Sequence, residues 1–186
     1  MKKWICLVIL CVVEAFASED STKTEFSHAA VGIEGGVLYF LDDVQDALDN
    51  PFYGLLEFEY RYYGNFTGVV QFGYSYLTTK ENVEYPGIHQ ANGRIGVDYA
   101  LSFAKPIAVG AGFSCVWQRA DDDGDISHST LADNESEFGF YVRLNLPIMT
   151  LEGWRLGAKF YHETLWTEPE TTQTAWFGFY LQRKLW

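Results

Sequence analysis

The stretch Phe52–Leu77, FYGLLEFEYRYYGNFTGVVQFGYSYL, alternates between apolar and polar side chains on both sides of Gly64-Asn65. Side chains two positions apart lie on the same face of a β-strand, so the alternation predicts two strands with one apolar face each. Gly and Asn tolerate the backbone conformations of a tight turn. The stretch therefore predicts a β-hairpin, with aromatic side chains on one face and Glu57, Glu59 and Arg61 on the other.

The same alternation recurs along most of the chain and predicts an all-β fold. The eight alternating segments are 29–41, 52–63, 66–78, 90–103, 107–119, 135–147, 154–166 and 174–186. Long acidic connections alternate with short ones, and the long ones are 42–51, 79–89, 120–134 and 167–173. This asymmetry is typical of an up-and-down meander with one elaborated end. We therefore expect residues 29–186 to form an eight-stranded antiparallel up-and-down barrel.

Large apolar side chains fill one face of the predicted strands, whereas the other face carries charges separated by glycines. The alternation alone also fits a soluble, lipocalin-like binder that is apolar inside. The glycines favour charges on the inside, because the inward side of a narrow barrel needs small residues between large ones. An apolar exterior of this extent would aggregate in water but is required in a bilayer, so the barrel is expected to be transmembrane.

The inward charges are nearly balanced. They are Glu34, Glu57, Glu59, Arg61, Arg94, Asp98, Glu137, Arg143, Arg155, Lys159 and Glu163, to which Lys184 adds one more base. An eight-stranded barrel is narrow enough to be filled by side chains. Because a buried charge without a partner is strongly destabilising, the balance predicts ion pairs that plug the lumen. Conduction of protons or solutes is the alternative.

Residues 1–17 have the pattern of a secretory signal, with two lysines, a short apolar run and a cleavage site ending at Ala17. Residues 18–28 are then expected to form an N-terminal periplasmic segment. Cys115 is the one cysteine left after cleavage, so no internal disulfide is expected. The formal net charge of −12 argues against nucleic-acid binding.

The strand pattern resembles the small eight-stranded outer-membrane barrels of Gram-negative bacteria, the group that contains the OmpA transmembrane domain, OmpX and OmpW. The resemblance covers residues 29–186 and implies a monomer in the outer membrane, in contact with its lipid and lipopolysaccharide. Short turns would then face the periplasm and long loops the outside.

The last stretch carries the pattern that such barrels present to the barrel assembly machinery, a terminal aromatic residue preceded by alternate apolar residues. The expected signal residues are Phe177, Phe179, Leu181 and Trp186. Trp186 departs from the pattern, because it is even-numbered whereas the other three are odd-numbered and so lie on the opposite face of the strand. We take the odd-numbered residues to face lipid, with Arg183 extending to the membrane interface.

The loop 120–134 holds the residues that could bind a metal or carry chemistry. Asp121, Asp123 and Asp125 offer oxygen ligands for Ca²⁺, but the spacing and the downstream Glu of a calcium loop are missing, so a solvated loop tip is preferred. His128 is followed by Ser129 and Thr130, which is similar to the residues used by an outer-membrane lipid A deacylase family. No motif places an acid beside them.

We accordingly expect no catalytic residues, no cofactor and no metal site, with a lipid A-modifying enzyme as the alternative. The expected role is structural, or one of surface interaction through the acidic loops.

Overall fold

The computed structural model describes residues 29–80, 87–104, 106–120, 135–166 and 171–185. Its strands are β1 (Ala29–Phe40), β2 (Phe52–Tyr63), β3 (Phe66–Leu77), β4 (Ile88–Ala100), β5 (Ala108–Ala120), β6 (Glu135–Leu151), β7 (Trp154–Leu165) and β8 (Thr172–Lys184). A short 3-10 helix, Asp43–Asp46, follows β1. The expected signal peptide, the periplasmic segment, Asp121, Asp123, Asp125, His128 and Trp186 lie outside the described residues.

Each strand pairs antiparallel with its neighbours in the sequence, and β1 also pairs with β8, so the sheet closes into a barrel. The predicted fold class is confirmed. β1, β3, β5 and β7 end at one end of the barrel, which we call the long-loop end. The opposite end, where β2, β4 and β6 end, is called the short-turn end.

Most predicted strand boundaries lie within about two residues of those in the structure, and two boundaries differ by more. The sixth strand was expected to stop at Pro147, but β6 continues to Leu151 through an irregularity between Pro147 and Met149, where the missing proline N–H is tolerated. The fourth strand ends at Ala100, before the expected residue 103. The reason is that Leu101 N bonds Ile107 O at 2.9 Å and closes a turn.

Two further side chains do not lie where the alternation puts them. Ile107 was expected on the apolar outer face, but it precedes β5 and is buried in the turn. Lys184 was expected to face the lumen, but it ends β8 and is exposed. Ile107 lies just before β5 and Lys184 is the last residue of β8, so strand alternation does not fix the direction of either side chain.

The two faces of the sheet differ sharply in polarity. Large apolar side chains point outward and are exposed, for example Phe52 at 80%, Phe113 at 65% and Ile95 at 62%. The inward face buries charged and amide side chains together with Tyr and Trp. None of the helices in the described part of the chain is long and apolar enough to cross a membrane.

Glycine is required where neighbouring strands approach closely on the inward side. A Cβ atom on Gly112 would lie 2.2 Å from the carbonyl oxygen of Ile95 on β4, closer than any real contact. The outward-facing Gly54 has nothing within 4 Å of the same position. Comparing substitutions of Gly112 and Gly54 therefore distinguishes the cost of a steric clash from the general effect of replacing a strand glycine.

We expect Gly112→Ala to destabilise the barrel by about 1–3 kcal/mol, because overpacking forces the backbone to shift. Gly54→Ala should be neutral or slightly stabilising, because a strand glycine costs conformational entropy. Urea unfolding in lipid vesicles measures both free energies, and equal effects would contradict the steric explanation.

A second prediction concerns the outer face. Val142 lies near the middle of β6, and Arg in its place should cost about 2–4 kcal/mol if that point is at the midplane of a bilayer. Ser136→Arg, on the same face at the start of β6, should cost only about 0–1 kcal/mol. The same unfolding measurement checks both, and a neutral Val142→Arg would mean that this face does not contact acyl chains.

Candidate functional site: the charged lumen

Arg143 on β6 is the centre of a group of charged side chains inside the barrel. Its Nε and Nη2 donate to Asp98 Oδ1 and Oδ2 at 2.6 and 2.5 Å, a bidentate pair. Its Nη1 donates to Glu57 Oε2 at 2.6 Å, and its Nη2 lies 3.5 Å from Glu59 Oε1. Because β2 lies across the barrel from β6, the guanidinium spans the lumen.

Lys159 on β7 approaches the same acids from another side. Its Nζ donates to Glu57 Oε1 and lies 3.8 Å from Glu34 Oε2 and 4.0 Å from Glu59 Oε1. The ammonium also lies 4.3 Å from the ring centroid of Tyr180, a cation–π contact. Lys159 and Glu57 are 0% and 2% exposed, so these contacts replace hydration.

Glu57 therefore accepts from two cations and two amides. Gln71 Nε2 donates to its Oε2 at 2.8 Å and Gln182 Nε2 to its Oε1 at 3.1 Å. A carboxylate has about four lone-pair sites, so Glu57 is fully used. Removing any one partner leaves an imperfectly compensated buried charge.

Arg155 extends this group toward the short-turn end. Its Nη2 donates to Glu59 Oε2 at 2.7 Å, and its Nε donates to Gln182 Oε1 at 2.9 Å. Its side chain is 16% exposed, more than those of Arg143 and Lys159. We call these connected charges the luminal cluster, which consists of Glu34, Glu57, Glu59, Asp98, Arg143, Arg155 and Lys159.

Glu34 on β1 is joined to the luminal cluster by tyrosines as well as by Lys159. Tyr53 Oη donates to Glu34 Oε1 at 2.6 Å, and Tyr161 Oη donates to Glu34 Oε2 at 2.7 Å. Gln71 Nε2 in turn donates to Tyr161 Oη at 2.7 Å. The phenol groups of Tyr53 and Tyr161 thus satisfy the carboxylate of Glu34, whose cation, Lys159, lies farther away than the cations of the other acids in the cluster.

A second ion pair lies nearer the long-loop end. Arg94 on β4 donates from Nε and Nη2 to the two carboxylate oxygens of Glu163 on β7, at 3.1 and 2.9 Å. The Arg94 guanidinium carbon lies 4.0 Å from the ring centroid of Trp176 and 4.9 Å from that of Tyr161. Arg94 is therefore paired with an acid and enclosed by aromatic rings, a combination that suits guanidinium better than ammonium.

An apolar layer lies across the lumen at the long-loop end. We call it the apolar cap, and its buried members are Leu38, Phe40, Tyr53, Leu55, Leu77, Tyr141, Tyr161 and Trp176. The first long loop covers it, since Val44 and Leu48 pack against these residues. Asp49 N bonds Thr78 O at 2.9 Å and Lys80 N bonds Ala47 O at 3.0 Å, which ties that loop to the connection after β3.

The apolar cap was not predicted from the sequence. Its signal is present, because the chain is continuously apolar at 37–41, VLYFL, where a half-buried strand would alternate. Apolar side chains there point both outward and inward. The predicted apolar face includes the outward side chains alone.

Arg61 and Glu137, which were also expected in the lumen, are not members of the luminal cluster. Arg61 is half-buried near the end of β2 and makes no ion pair with any described residue. Glu137 is half-buried near the start of β6, opposite Val116. Within the described ranges, no group of three or more His, Cys, Asp or Glu side chains could hold a metal ion. Cys115 is a half-buried free thiol.

No protein-family model matches the chain, and no curated protein matches it in sequence. Solved structures do match its fold. The crystal structure of Neisserial surface protein A (NspA) has a TM-score of 0.65 and 10% identity, over 86% of this chain and 98% of that one. The backbone structure of the Yersinia pestis outer membrane protein Ail in a phospholipid bilayer nanodisc has a TM-score of 0.53 and 10% identity, over 83% and 99%.

The protein therefore has the fold of the small eight-stranded outer-membrane β-barrels, as the strand pattern led us to expect. A closed barrel whose outer face is apolar satisfies the two requirements for crossing a membrane with strands, paired backbone groups and a lipid-compatible surface. Fold and surface together agree with the expected location in the outer membrane.

Removal of the Arg143 side chain should destabilise the barrel by about 3–5 kcal/mol, because Asp98 and Glu57 would be left as buried charges without their main partner. Arg61→Ala is the matched control and should change the free energy of unfolding by about 0.5 kcal/mol or less. Urea unfolding in vesicles measures both. Similar losses in the two variants would mean that the luminal cluster has no special energetic role.

Proposed function

We propose that the protein is an integral outer-membrane barrel with a closed, non-conducting lumen and without catalytic activity. In this proposal its function lies in its outer surface and in its acidic loops. The observation that carries the proposal is the hydrogen bonding of Arg143 to Asp98 and Glu57 across the lumen. The proposal also includes the expected monomeric state and insertion by the barrel assembly machinery.

The energetics of the lumen support closure. An ion passing through would have to separate Arg143 or Lys159 from acids that are almost completely buried. Breaking a buried ion pair costs about 3–5 kcal/mol. The ion would then meet the apolar cap, which offers few polar groups to replace its hydration shell.

The acidic loops support a role at the surface. Within the described residues, the first long loop carries Asp42, Asp43, Asp46 and Asp49, all half-buried or exposed. The sequence adds further acids in 120–134. Such loops repel one another and anionic surfaces, and they attract divalent cations, which would allow them to bridge to lipopolysaccharide.

The alternatives have less support. A lipocalin-like binder needs an apolar internal cavity and a polar exterior, whereas the described strands have the reverse. A lipid A deacylase would use His128, Ser129 or Thr130, which lie outside the described residues. Neither alternative explains why charged side chains from β1, β2, β4, β6 and β7 meet in the lumen.

Planar-bilayer recording tests the closed lumen. The wild-type protein should show negligible steady current, because the luminal cluster and the apolar cap lie in series. The double variant Arg143→Ala/Lys159→Ala should be less stable and should conduct more often, because four carboxylates, those of Glu34, Glu57, Glu59 and Asp98, lose cations that contact them. Arg61→Ala, which leaves the luminal cluster intact, should remain as silent as the wild type.

A steady ion-selective current from the wild type would contradict the proposal. The contradiction would be strongest if single alanine variants in the lumen changed ion selectivity without changing stability, since the charges would then act as a channel lining.

A further inference from the structure

His162 interrupts the apolar outer face of β7. Its neighbours along the strand, Tyr161 and Glu163, both point into the lumen, where Tyr161 Oη donates to Glu34 and Glu163 accepts from Arg94. Because side chains alternate along a strand, His162 points outward. Ionisable side chains in membrane-spanning segments are costly and usually have a function, so this imidazole needs an explanation.

Two more polar side chains continue from His162 toward the long-loop end. Thr164 lies two positions further along β7, between the buried Glu163 and Leu165, and therefore also points outward. Gln173 on β8 is the register partner of Thr164. We call His162, Thr164 and Gln173 the polar strip. None of the three side chains makes a hydrogen bond or an ion pair with a described residue.

Apolar side chains surround the deep end of the polar strip. Val142 on β6 and Ala175 on β8 are the register partners of His162. Toward the short-turn end, the rings of Phe160 and Phe177 follow, with their centroids 4.8 Å apart. These neighbours offer the imidazole no hydrogen-bond partner, so a partner has to come from the surrounding membrane.

The polar strip extends from the membrane interface into the hydrocarbon region. Trp166 lies four positions after His162 and is 54% exposed, and its backbone N bonds Phe138 O, so strand pairing continues to it. Trp is typical of the interface. Four strand positions tilted by roughly 40° span about 10 Å along the membrane normal. Thr164 and Gln173 then lie near the linkages between headgroup and acyl chains, and His162 lies among the chains.

The polar strip is suited to neutral hydrogen-bonding groups, because it contains no Lys, Arg, Asp or Glu. A hydroxyl, an amide and a neutral imidazole each donate and accept. A lipid with ester or amide linkages alone would reach Thr164 and Gln173 and would leave His162 without a partner. A hydroxyl group on an acyl chain supplies both a donor and an acceptor at the deeper level.

We propose that the polar strip binds a lipid with hydroxylated acyl chains in the leaflet at the long-loop end. The ester or amide carbonyl groups of the lipid bond with Thr164 and Gln173, and its acyl-chain hydroxyl bonds with His162. The proposal rests on the proposed function, because it needs the barrel to span the membrane. It adds a binding surface on the barrel wall that is separate from the acidic loops.

The test compares dimyristoyl phosphatidylcholine with its analogue that carries one 3-hydroxymyristoyl chain. The full-length protein is placed in nanodiscs that contain equal amounts of both, and native mass spectrometry after detergent extraction measures the ratio of the bound lipids. The wild type should retain the hydroxylated lipid about fivefold more, the contribution of one hydrogen bond. His162→Phe should retain both equally. His162→Gln keeps a donor and an acceptor and should keep most of the preference.

Val97→Phe is the matched control. Val97 is exposed on the outer face of β4, three strands away from β7, so this variant adds the same ring outside the polar strip. It should keep the wild-type ratio. A loss of preference equal to that in His162→Phe would overturn the proposal, because any added ring would then disturb the bound lipid.

Thr164→Val is a second variant, which removes a hydroxyl without adding bulk. It should lower the retention of both lipids and leave their ratio unchanged, because the ester carbonyl groups are common to both. A lost preference with unchanged total retention would contradict the proposal, since the acyl-chain hydroxyl would then bind Thr164 in place of His162.

Four further results would also overturn the proposal. Equal retention of the two lipids by the wild type would mean that the hydroxyl is not recognised. An unchanged preference in His162→Phe would place the hydroxyl elsewhere. A lower melting temperature of His162→Phe in plain dimyristoyl phosphatidylcholine would give the imidazole a structural partner within the chain. A complex of two chains that His162→Phe abolishes would assign the polar strip to a second copy.

Failure of the proposed function has a different signature. In that case the wild type would not remain with the nanodiscs, or it would conduct steadily in a planar bilayer. Normal incorporation and silence, together with equal retention of the two lipids, would reject the lipid site alone.

Discussion

The pairing of β1 with β8 is the constraint on which the rest of the structure depends. A strand in a lipid environment cannot leave its N–H and C=O groups unpaired, because the bilayer core offers no water to bond them. Closure removes both sheet edges at once. It also limits the interior to a narrow space, into which every second side chain of eight strands must fit.

The content of that space follows from closure and from the apolar outer face. With the apolar residues directed to lipid, the polar residues of each strand point inward and lose water. The luminal cluster meets this condition by sharing: Glu57 accepts from Arg143, Lys159, Gln71 and Gln182. A network of this kind is favourable only when it is nearly complete, since one missing partner leaves a buried charge. Internal polar contacts therefore have the role that an apolar core has in a soluble barrel.

Much of the fold could be predicted from the sequence, because period-two alternation and loop length are local signals. The same signals fail where a strand ends. Pro147 was expected to end a strand, Lys184 to face the lumen and Ile107 to face outward. Each lies at or near a strand end, where pairing with the neighbouring strand decides how far the strand extends. The apolar cap was not predicted for a related reason. Where consecutive residues near the long loops are all apolar, the sequence does not distinguish the side chains that point inward from those that point outward.

The site was only partly accessible to sequence reasoning. The alternation along a strand identifies the residues that point inward. It does not give their position along the barrel axis or around the barrel wall. Arg143 and Arg61 have the same parity pattern, yet Arg143 reaches Asp98 and Glu57, whereas Arg61 lies apart from the luminal cluster. These pairings depend on register and strand tilt, which are properties of the closed sheet.

The seam between β1 and β8 has a kinetic consequence. At its centre Gly36 faces Gly178, and a Cβ on Gly36 would lie 2.0 Å from the carbonyl oxygen of Phe177, so the two strands must meet very closely. Their contacts join residues separated by most of the chain, and the entropy of closing so long a loop makes such contacts slow to form. The seam is then the last part of the barrel to assemble. Until it closes, β1 and β8 are two bare edges that can pair with other chains, so the time spent open determines how much of the protein is lost to aggregation.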